Sequence, residues 1–201
     1  MTDAMASVRS VNVGTPREVS WTRSRRTAIH KTPVTGPVAV RTLGLDGDQV
    51  SNRTHHGGVD KAVYAFARED LDRWGEELGR ELPDGFFGEN LTTAGIDVNE
   101  AVLGERWRIG TAELEVAGFR TPCRVFSSWL RISGLDNRSW SRRFVAAGRP
   151  GPYLRVVAEG EVSAGDRLTV VHRPAGGVTV SAAFRARMVT NSTLATRELG
   201  E

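Results

Sequence analysis

The sequence predicts a mainly β protein with peripheral helices, arranged as a small β-barrel. Seven or eight short stretches alternate apolar with polar residues or are rich in valine, which is the pattern of strands. Segments that contain glycine and proline separate these stretches, and long helices do not regularly follow them. A parallel α/β sheet would require such helices, so the pattern favours the barrel.

The N-terminal part of the chain alternates predicted strands with turn-rich loops. Residues 7–14 and 17–22 predict two short strands joined at a Thr-Pro turn. Residues 31–40 contain two prolines and predict an extended loop that enters a short strand. Residues 44–63 are rich in glycine and polar residues, which is typical of a long functional loop. Residues 61–67 then predict a buried strand.

The clearest helix is predicted at residues 68–82, where Leu71, Trp74, Leu78 and Leu82 recur at helical spacing. The other predicted elements are a turn-rich loop at 86–97, a hairpin at 105–118, helices at 122–131 and 139–147, strands within 153–173, and a terminal helix within 176–201 whose valine-rich start also fits a strand. These elements predict a barrel domain over residues 1–173 and a short C-terminal helical region over residues 174–201.

Composition predicts an ordinary globular protein of a reducing compartment. A chain of 201 residues fits one domain, and its single cysteine cannot form an intrachain disulfide. No secretory signal pattern is present and the apolar runs are too short for a bilayer, so we expect a cytoplasmic protein without a membrane partner. Basic residues cluster only at 23–26 and 142–143, without interleaved stacking aromatics, so no nucleic-acid partner is expected.

Cys123, the only cysteine, directly follows Pro122 and lies between Arg120 and Arg124. If a helix begins at Pro122, Thr121 becomes its N-cap and the thiol lies in the first turn. The helix dipole and both arginines would then favour the thiolate, which attacks substrates or binds metal. A lone cysteine is also commonly a small buried hydrophobic residue, and the residues alone leave both interpretations open.

The residues around this thiol do not indicate a protease triad or a zinc site. The four histidines show no spacing to a carboxylate or amide that would identify a triad, and neither CxxC nor HExxH occurs. A lone soft thiolate better suits a metal whose other ligands come from an organic cofactor.

Four sequence blocks match, in order and spacing, the signature blocks of a known family. They are TAIHKTPVTGPVAV, LGLDGDQVSNRTHHGGVDKAVYAF, FGENLTTAGI and FRTPC. Together they resemble the MOSC domain, which is named after the C-terminal part of molybdenum cofactor sulfurase, and most closely its stand-alone bacterial YiiM-like branch. The resemblance covers residues 27–172. RPAGGVTVSAAFRA further resembles the start of that branch's three-helix C-terminal region, which this chain would carry in shortened form.

The resemblance implies a β-barrel that holds the molybdenum cofactor (molybdopterin), with Cys123 as metal ligand and catalytic residue. The positions that it places near the cofactor are Lys31, Arg53, His56, Gly57, Gly58, Lys61, Glu89, Asn90, Arg120 and Thr121. Basic side chains and exposed glycine amides suit a phosphate, and an amide side chain suits a pterin ring. Each has a structural alternative: a loop-stabilising histidine, a tight glycine turn, or solvated basic residues. Asp46 and Asp48 are expected to make turn bonds rather than to act in catalysis.

By the same resemblance, we expect a molybdenum-dependent oxidoreductase that reduces N-hydroxylated compounds to amines. A separate reductase would supply electrons, because no GxGxxG pattern of a dinucleotide site follows a strand. Two alternatives stay open. One is a sulfur carrier that holds a persulfide on Cys123 for metal–sulfur cluster or cofactor assembly, and the other is a non-enzymatic carrier of the molybdenum cofactor.

Overall fold

Eight strands form the largest sheet in the computed structural model of the protein, which describes residues 5–51 and 57–198, with side chains described up to residue 190. In spatial order they are β13 (Leu168–His172), β9 (Arg106–Ile109), β10 (Ala112–Phe119), β11 (Pro152–Ala158), β7 (Val63–Ala67), β8 (Leu91–Ala94), β1 (Ser7–Val13) and β4 (Thr32–Pro33). Neighbouring strands are antiparallel except β7 and β8, which pair in parallel.

Two smaller sheets accompany it. The first contains β12 (Gly160–Val162), β5 (Val38–Arg41) and β6 (Gly44–Leu45). The second is a hairpin of β2 (Arg17–Glu18) and β3 (Arg26–Thr27), in which Arg17 pairs with Thr27 and Glu18 with Arg26. The mainly β class with peripheral helices, which the sequence predicts, is therefore confirmed.

The two ends of the large sheet approach each other without forming a continuous ladder. One isolated bridge joins Ser7 to Arg167, and the Leu168 N–H donates to the Ala6 carbonyl at 2.9 Å. The chain turns just before β13, where the Asp166 N–H bonds to the Ser163 carbonyl, so only the start of β13 reaches β1. Over residues 5–51 and 57–198 the strand pairings therefore leave the sheet open, and the predicted closed barrel is not found.

Strand β7 separates two hydrophobic cores. All five of its residues are buried, but alternate side chains point to opposite faces. Val63, Ala65 and Ala67 join an aliphatic core within the sheet, whereas Tyr64 and Phe66 join an aromatic core. The aromatic core lies between the sheet and the helices, and its other members include Trp74, Phe87, Phe126 and Trp140.

Four α-helices surround the sheets: α1 (Arg68–Leu78), α2 (Arg124–Ile132), α3 (Trp140–Ala147) and α4 (Val180–Glu198). The first ends four residues earlier than predicted because Gly79 adopts a left-handed conformation at its C-terminus. Helix α4 packs against the body of the protein, where Phe184 contacts Phe119 and Phe144. The division into two domains at residues 173 and 174 stays a prediction. Within the described part, none of the helices combines the length and apolar character required to cross a bilayer.

Gly151, which precedes β11, is expected to tolerate no side chain. Its φ is +71°, and an added Cβ would lie 2.4 Å from the Ala65 carbonyl oxygen. We expect Gly151→Ala to lower the free energy of unfolding by about 2–4 kcal/mol, because left-handed strain adds to a clash with backbone. Urea denaturation followed by tryptophan fluorescence measures this loss.

Gly36 provides the matched control. Its φ is +81°, but an added Cβ would meet nothing within 4 Å. Gly36→Ala should therefore cost only the backbone strain of about 1 kcal/mol. Equal losses in the two variants would contradict the packing argument for Gly151.

Candidate functional site

A cavity of about 170 Å³ opens beside Cys123. Its walls come from distant parts of the chain: the β2–β3 hairpin, the segment after β6, strand β7, the segment before β8, the segment before α2 and the start of β11. The cavity lining includes the ionisable side chains of Lys31, Asp48, Tyr64, Arg120, Cys123 and Tyr153. The sequence blocks therefore meet at one cavity.

Cys123 is the N-cap of α2 and lies on the cavity wall. Its backbone is extended, with φ −137° and ψ 155°, and its Sγ accepts the Phe126 N–H at 3.4 Å. Arg120 Nη2 lies 4.0 Å from the same sulfur. The thiol is half-buried and faces a cavity, so it is not the walled-in hydrophobic residue of the structural alternative.

The prediction that Thr121 caps this helix is wrong. The helix begins at Arg124 rather than at Pro122, and its N-cap acceptor is the Cys123 sulfur, which accepts the Phe126 N–H. Thr121 is exposed and does not line the cavity, so the structure does not bring it to the predicted cofactor site.

Arg120 brings a buried positive charge to the cavity. The residue is 8% exposed, and its guanidinium lies 5.1 Å from the ring centroid of Tyr64 and 5.7 Å from that of Phe126. Among the described residues, no carboxylate lies within ion-pairing distance of it. Burial raises the pKa of both Tyr64 and Tyr153, even though Arg120 opposes the rise, so neither hydroxyl supplies a negative charge at neutral pH.

Lys31, in contrast, is neutralised by Asp48. Their side chains form an ion pair and are only 8% and 10% exposed. Burial lowers the pKa of Lys31, and the charge and hydrogen bond of Asp48 oppose that fall. Asp48 also accepts the Gly14 N–H at 2.8 Å, which is a long-range bond and not the predicted turn bond, and it lines the cavity as well. Asp48 is thus a site residue that the sequence prediction assigned to a turn.

Asn90 lines the cavity, but its amide is already engaged. The Oδ1 atom accepts the Tyr64 N–H at 3.1 Å, and Nδ2 donates to Asp48 Oδ2 at 2.9 Å and to the Asn12 carbonyl at 3.3 Å. Both ends of the side chain therefore hold the floor of the cavity together, rather than pointing free groups at a pterin ring.

Glu89 lies outside the cavity lining, contrary to the predicted cofactor contact. It is fully buried, and its Oε1 accepts the Gly85 N–H at 2.6 Å and the Thr92 hydroxyl at 2.9 Å. Its Oε2 has no hydrogen-bond partner among the described residues. Burial raises the pKa of this carboxyl to about 7, because desolvation disfavours the charged form.

Of the cofactor-binding residues predicted in the glycine-rich block, Lys61 is the one that the structure describes on the cavity wall. Lys61 lines the cavity, with Nζ 6.0 Å from the ring centroid of Tyr153. Gly57 and Gly58 do not line it; the Gly58 carbonyl accepts the Lys61 N–H at 3.0 Å in a short 3₁₀ turn over Val59–Lys61. Arg53 and His56 lie outside the described residues.

Sequence reasoning missed two further parts of the cavity. Tyr153 is the second residue of β11, and no local signal marks it as a cavity residue. Ser24 and Arg26 follow the strand predicted at residues 17–22, and Thr27 begins the first matched block, but none of the three was predicted to line a site. For Asp48 a signal existed, since it lies in the same matched block as the predicted glycines.

Fold and cavity together define a mainly β protein that presents one cysteine and one buried arginine to a cavity with both apolar and polar side chains. The chain belongs to the MOSC domain family, whose model matches residues 52–169. It is 32% identical over 180 residues to the uncharacterised protein YflK of Bacillus subtilis, covering 89% of this chain and 79% of that protein. It is also 30% identical to a protein of Gibberella moniliformis named "Reductase", covering 84% of this chain and 30% of that protein.

The fold is similar to that of a solved family member. The crystal structure of YiiM from Geobacillus stearothermophilus superposes with a TM-score of 0.72 and 30% sequence identity, covering 90% of this chain and 83% of that one. The predicted YiiM-like branch is therefore confirmed. Since the family takes its name from molybdenum cofactor sulfurase, membership supports a role related to that cofactor.

The buried Glu89 predicts a specific dependence of stability on pH. Between pH 4.5 and about 7 the folded carboxyl keeps a proton that the unfolded chain releases, so stability falls as pH rises through this window. Once the pH exceeds the pKa of Glu89 in the folded protein, the total loss of unfolding free energy should be about 3 kcal/mol. Glu89→Gln removes the titration, so the free energy of unfolding of the variant relative to wild type should rise by that amount across the window.

Urea titrations at half-unit intervals from pH 4 to pH 8 measure this difference. The control is Glu76→Gln, because Glu76 is exposed on α1 and should show the same pH profile as wild type. A wild-type profile parallel to that of Glu89→Gln would contradict the assignment of a proton to Glu89.

Proposed function

We propose that this protein binds the molybdenum cofactor in the cavity beside Cys123 and reduces N-hydroxylated compounds to amines. One observation carries the proposal: in a MOSC family chain, a half-buried thiol and a buried guanidinium without a carboxylate partner among the described residues face the same cavity. The reaction breaks one N–O bond, consumes two electrons and two protons, and yields the amine and water.

The residues present fit the chemistry of this cofactor. Cys123 offers a soft sulfur ligand of the kind that molybdenum accepts, and its Sγ lines the cavity. Arg120 offers a planar fork of donors for an anionic group such as a phosphate, and no carboxylate of the described residues competes for it. Lys61 adds a second cationic side chain to the lining. The bound cofactor would supply a metal centre that changes oxidation state and takes up oxygen from the substrate.

The chain itself supplies binding, orientation and protonation. Tyr64 and Tyr153 keep neutral hydroxyls because burial raises the pKa of each, so they add hydrogen-bonding groups without adding charge. Lys31 holds protons on Nζ at the cavity wall, and burial lowers the pKa of this ammonium group. Asp48 limits that fall and fixes the position of the ammonium group.

The cavity lining includes apolar side chains, which supports an organic substrate with an apolar body. These side chains are Ile29, Leu43, Val50 and Val125. Leu43 is 69% exposed and Val50 is 38% exposed, so both present apolar surface that a ligand can cover. An N-hydroxylated base or aromatic amine would place its ring against these side chains and its N–O group toward Cys123.

Replacement of Cys123 by serine should remove the metal without harming the fold. Serine is a preferred N-cap residue, so α2 keeps its first hydrogen bond and the melting temperature should stay unchanged or rise. Serine is a harder and weaker ligand than a thiolate, so molybdenum content should fall at least about tenfold and activity on an aromatic hydroxylamine should disappear. Elemental analysis of protein made in a cofactor-producing host measures this.

The same preparations separate the alternatives. A sulfur carrier would show wild-type protein heavier by one sulfur atom in intact mass spectrometry, with no molybdenum and no pterin. A cofactor carrier would contain both but would not turn over the hydroxylamine with a chemical reductant. Wild-type protein that lacks molybdenum and pterin would contradict the proposal.

Arg120→Met tests whether the buried charge serves the ligand rather than the fold. Methionine keeps an unbranched apolar stem between Tyr64 and Phe126 and removes a guanidinium that no carboxylate of the described residues neutralises. We expect the free energy of unfolding to be equal to that of wild type or about 1–2 kcal/mol higher. Pterin retained after purification should fall at least about tenfold, as expected for the loss of a charged hydrogen bond.

Fluorescence of the released and oxidised pterin gives the retained fraction, and urea denaturation gives the stability. Arg142→Met, on the exposed surface of α3, is the control and should change neither quantity. A large loss of stability with full pterin retention would assign Arg120 a structural role instead.

A further inference from the structure

The β2–β3 hairpin carries a dense positive charge. We call residues 17–27 the basic hairpin; within its first ten residues the sequence places four arginines and one carboxylate, Glu18. Arg17, Arg23, Arg25 and Arg26 are all exposed. Arg25 has a φ of +53°, at the tight turn where its N–H bonds to the Thr22 carbonyl. The arginines therefore project from a short, tightly turned element.

None of these four arginines forms an ion pair with any of the described residues. Arginines on the main sheet behave differently, since Arg106, Arg108 and Arg155 each lie within 4 Å of a glutamate or aspartate. Four like charges on one short hairpin repel each other, and their cost is relieved when an anionic surface approaches. The local charge thus points to a partner outside the chain.

The basic hairpin forms part of the cavity rim. Ser24, Arg26 and Thr27 line the cavity. The Trp21 ring lies 6.3 Å from the Trp129 ring, which places the hairpin against α2, the helix that Cys123 caps. Arg124, the first residue of that helix, is exposed and adds a fifth cation beside the thiol. A protein bound to these arginines would sit over the cavity mouth.

We propose that the basic hairpin and Arg124 form the docking surface for a small acidic electron-transfer protein, such as a flavodoxin or a [2Fe–2S] ferredoxin. This inference rests on the proposed function, in which each N–O bond cleaved requires two electrons, and a one-electron carrier supplies them in two encounters. Such encounters use small interfaces, and charge complementarity raises their association rate. The basic hairpin and Arg124 lie beside the cavity. A carrier that binds them is therefore close to the site where its electrons are used.

Charge removal on the hairpin tests the proposal without touching the cavity. The test variant carries three substitutions: Arg17→Gln, Arg23→Gln and Arg25→Gln. Arg26 stays, because it lines the cavity. The control variant removes the same net charge from exposed arginines on α1, α3 and α4: Arg73→Gln, Arg142→Gln and Arg187→Gln. The holoprotein of each is titrated calorimetrically with oxidised flavodoxin and with ferredoxin at low and high salt.

We expect the test variant to bind both carriers at least about tenfold more weakly than wild type at low salt, because three cations are lost from the contact. The control variant should bind like wild type, and high salt should abolish the difference. Equal affinities for the test and control variants, or no binding of either carrier to wild type, would overturn the proposal. So would tighter binding of a single-stranded oligonucleotide that the test variant loses, since this would assign the surface to nucleic acid.

Turnover separates this inference from the proposed function. With reduced methyl viologen, a small donor that needs no docking, test and control variants should reduce an aromatic hydroxylamine at the wild-type rate. With the reduced carrier, the test variant alone should lose about as much rate as affinity. If viologen-driven turnover is absent in wild type, the proposed function fails, while the titrations still decide the docking surface.

Discussion

Arg120 is held between the rings of Tyr64 and Phe126, and its backbone N–H donates to the Gly151 carbonyl at 3.2 Å. A buried guanidinium that lacks a carboxylate loses much of its hydration, at a cost of several kcal/mol. Cation–π contacts offset about 0.5–2 kcal/mol of this cost each. An anion that enters the cavity would offset the rest, so the free energy stored in this one side chain becomes affinity for a negatively charged ligand.

The second buried cation of the cavity differs from Arg120 because it has a carboxylate partner. Lys31 lies on the same cavity, yet Asp48 neutralises it, and Asp48 is itself fixed by the Gly14 N–H and by Asn90. The cavity therefore contains one cation whose charge is already satisfied within the described residues and one whose charge is not. A ligand with a localised negative group is directed to Arg120, next to Cys123, rather than to the floor near Lys31. The position of the cation without a carboxylate partner, rather than the number of cations in the cavity, therefore determines how such a ligand is oriented.

Local periodicity predicted those elements whose burial pattern is set within a few residues. Within the hairpin predicted at residues 105–118, the buried Leu114 and Val116 of β10 alternate with the half-buried Glu113 and Glu115, as the alternating sequence predicts. The start of α2 was misplaced because Thr121 is the residue that N-cap preferences favour, whereas the extended backbone and the sulfur of Cys123 cap the helix two residues later. Tyr153 reaches the cavity through tertiary packing that no short pattern encodes. The open sheet was not predicted for the same reason. The contact between its two ends joins Ser7 to Arg167, which are far apart in sequence, so no local pattern reports it.

The N-cap position of Cys123 separates what the fold needs from what the chemistry needs. Helix α2 requires an acceptor for the Phe126 N–H, and an oxygen of serine, threonine or aspartate would serve better than sulfur. Folding alone therefore gives no reason for a thiol at this residue. The extended backbone turns the side chain back over the helix start, where it also meets Arg120 and the cavity. A soft ligand in a position where a hard one would fold at least as well is what the proposed function requires, because molybdenum accepts a sulfur ligand and Cys123 offers one among the described cavity residues.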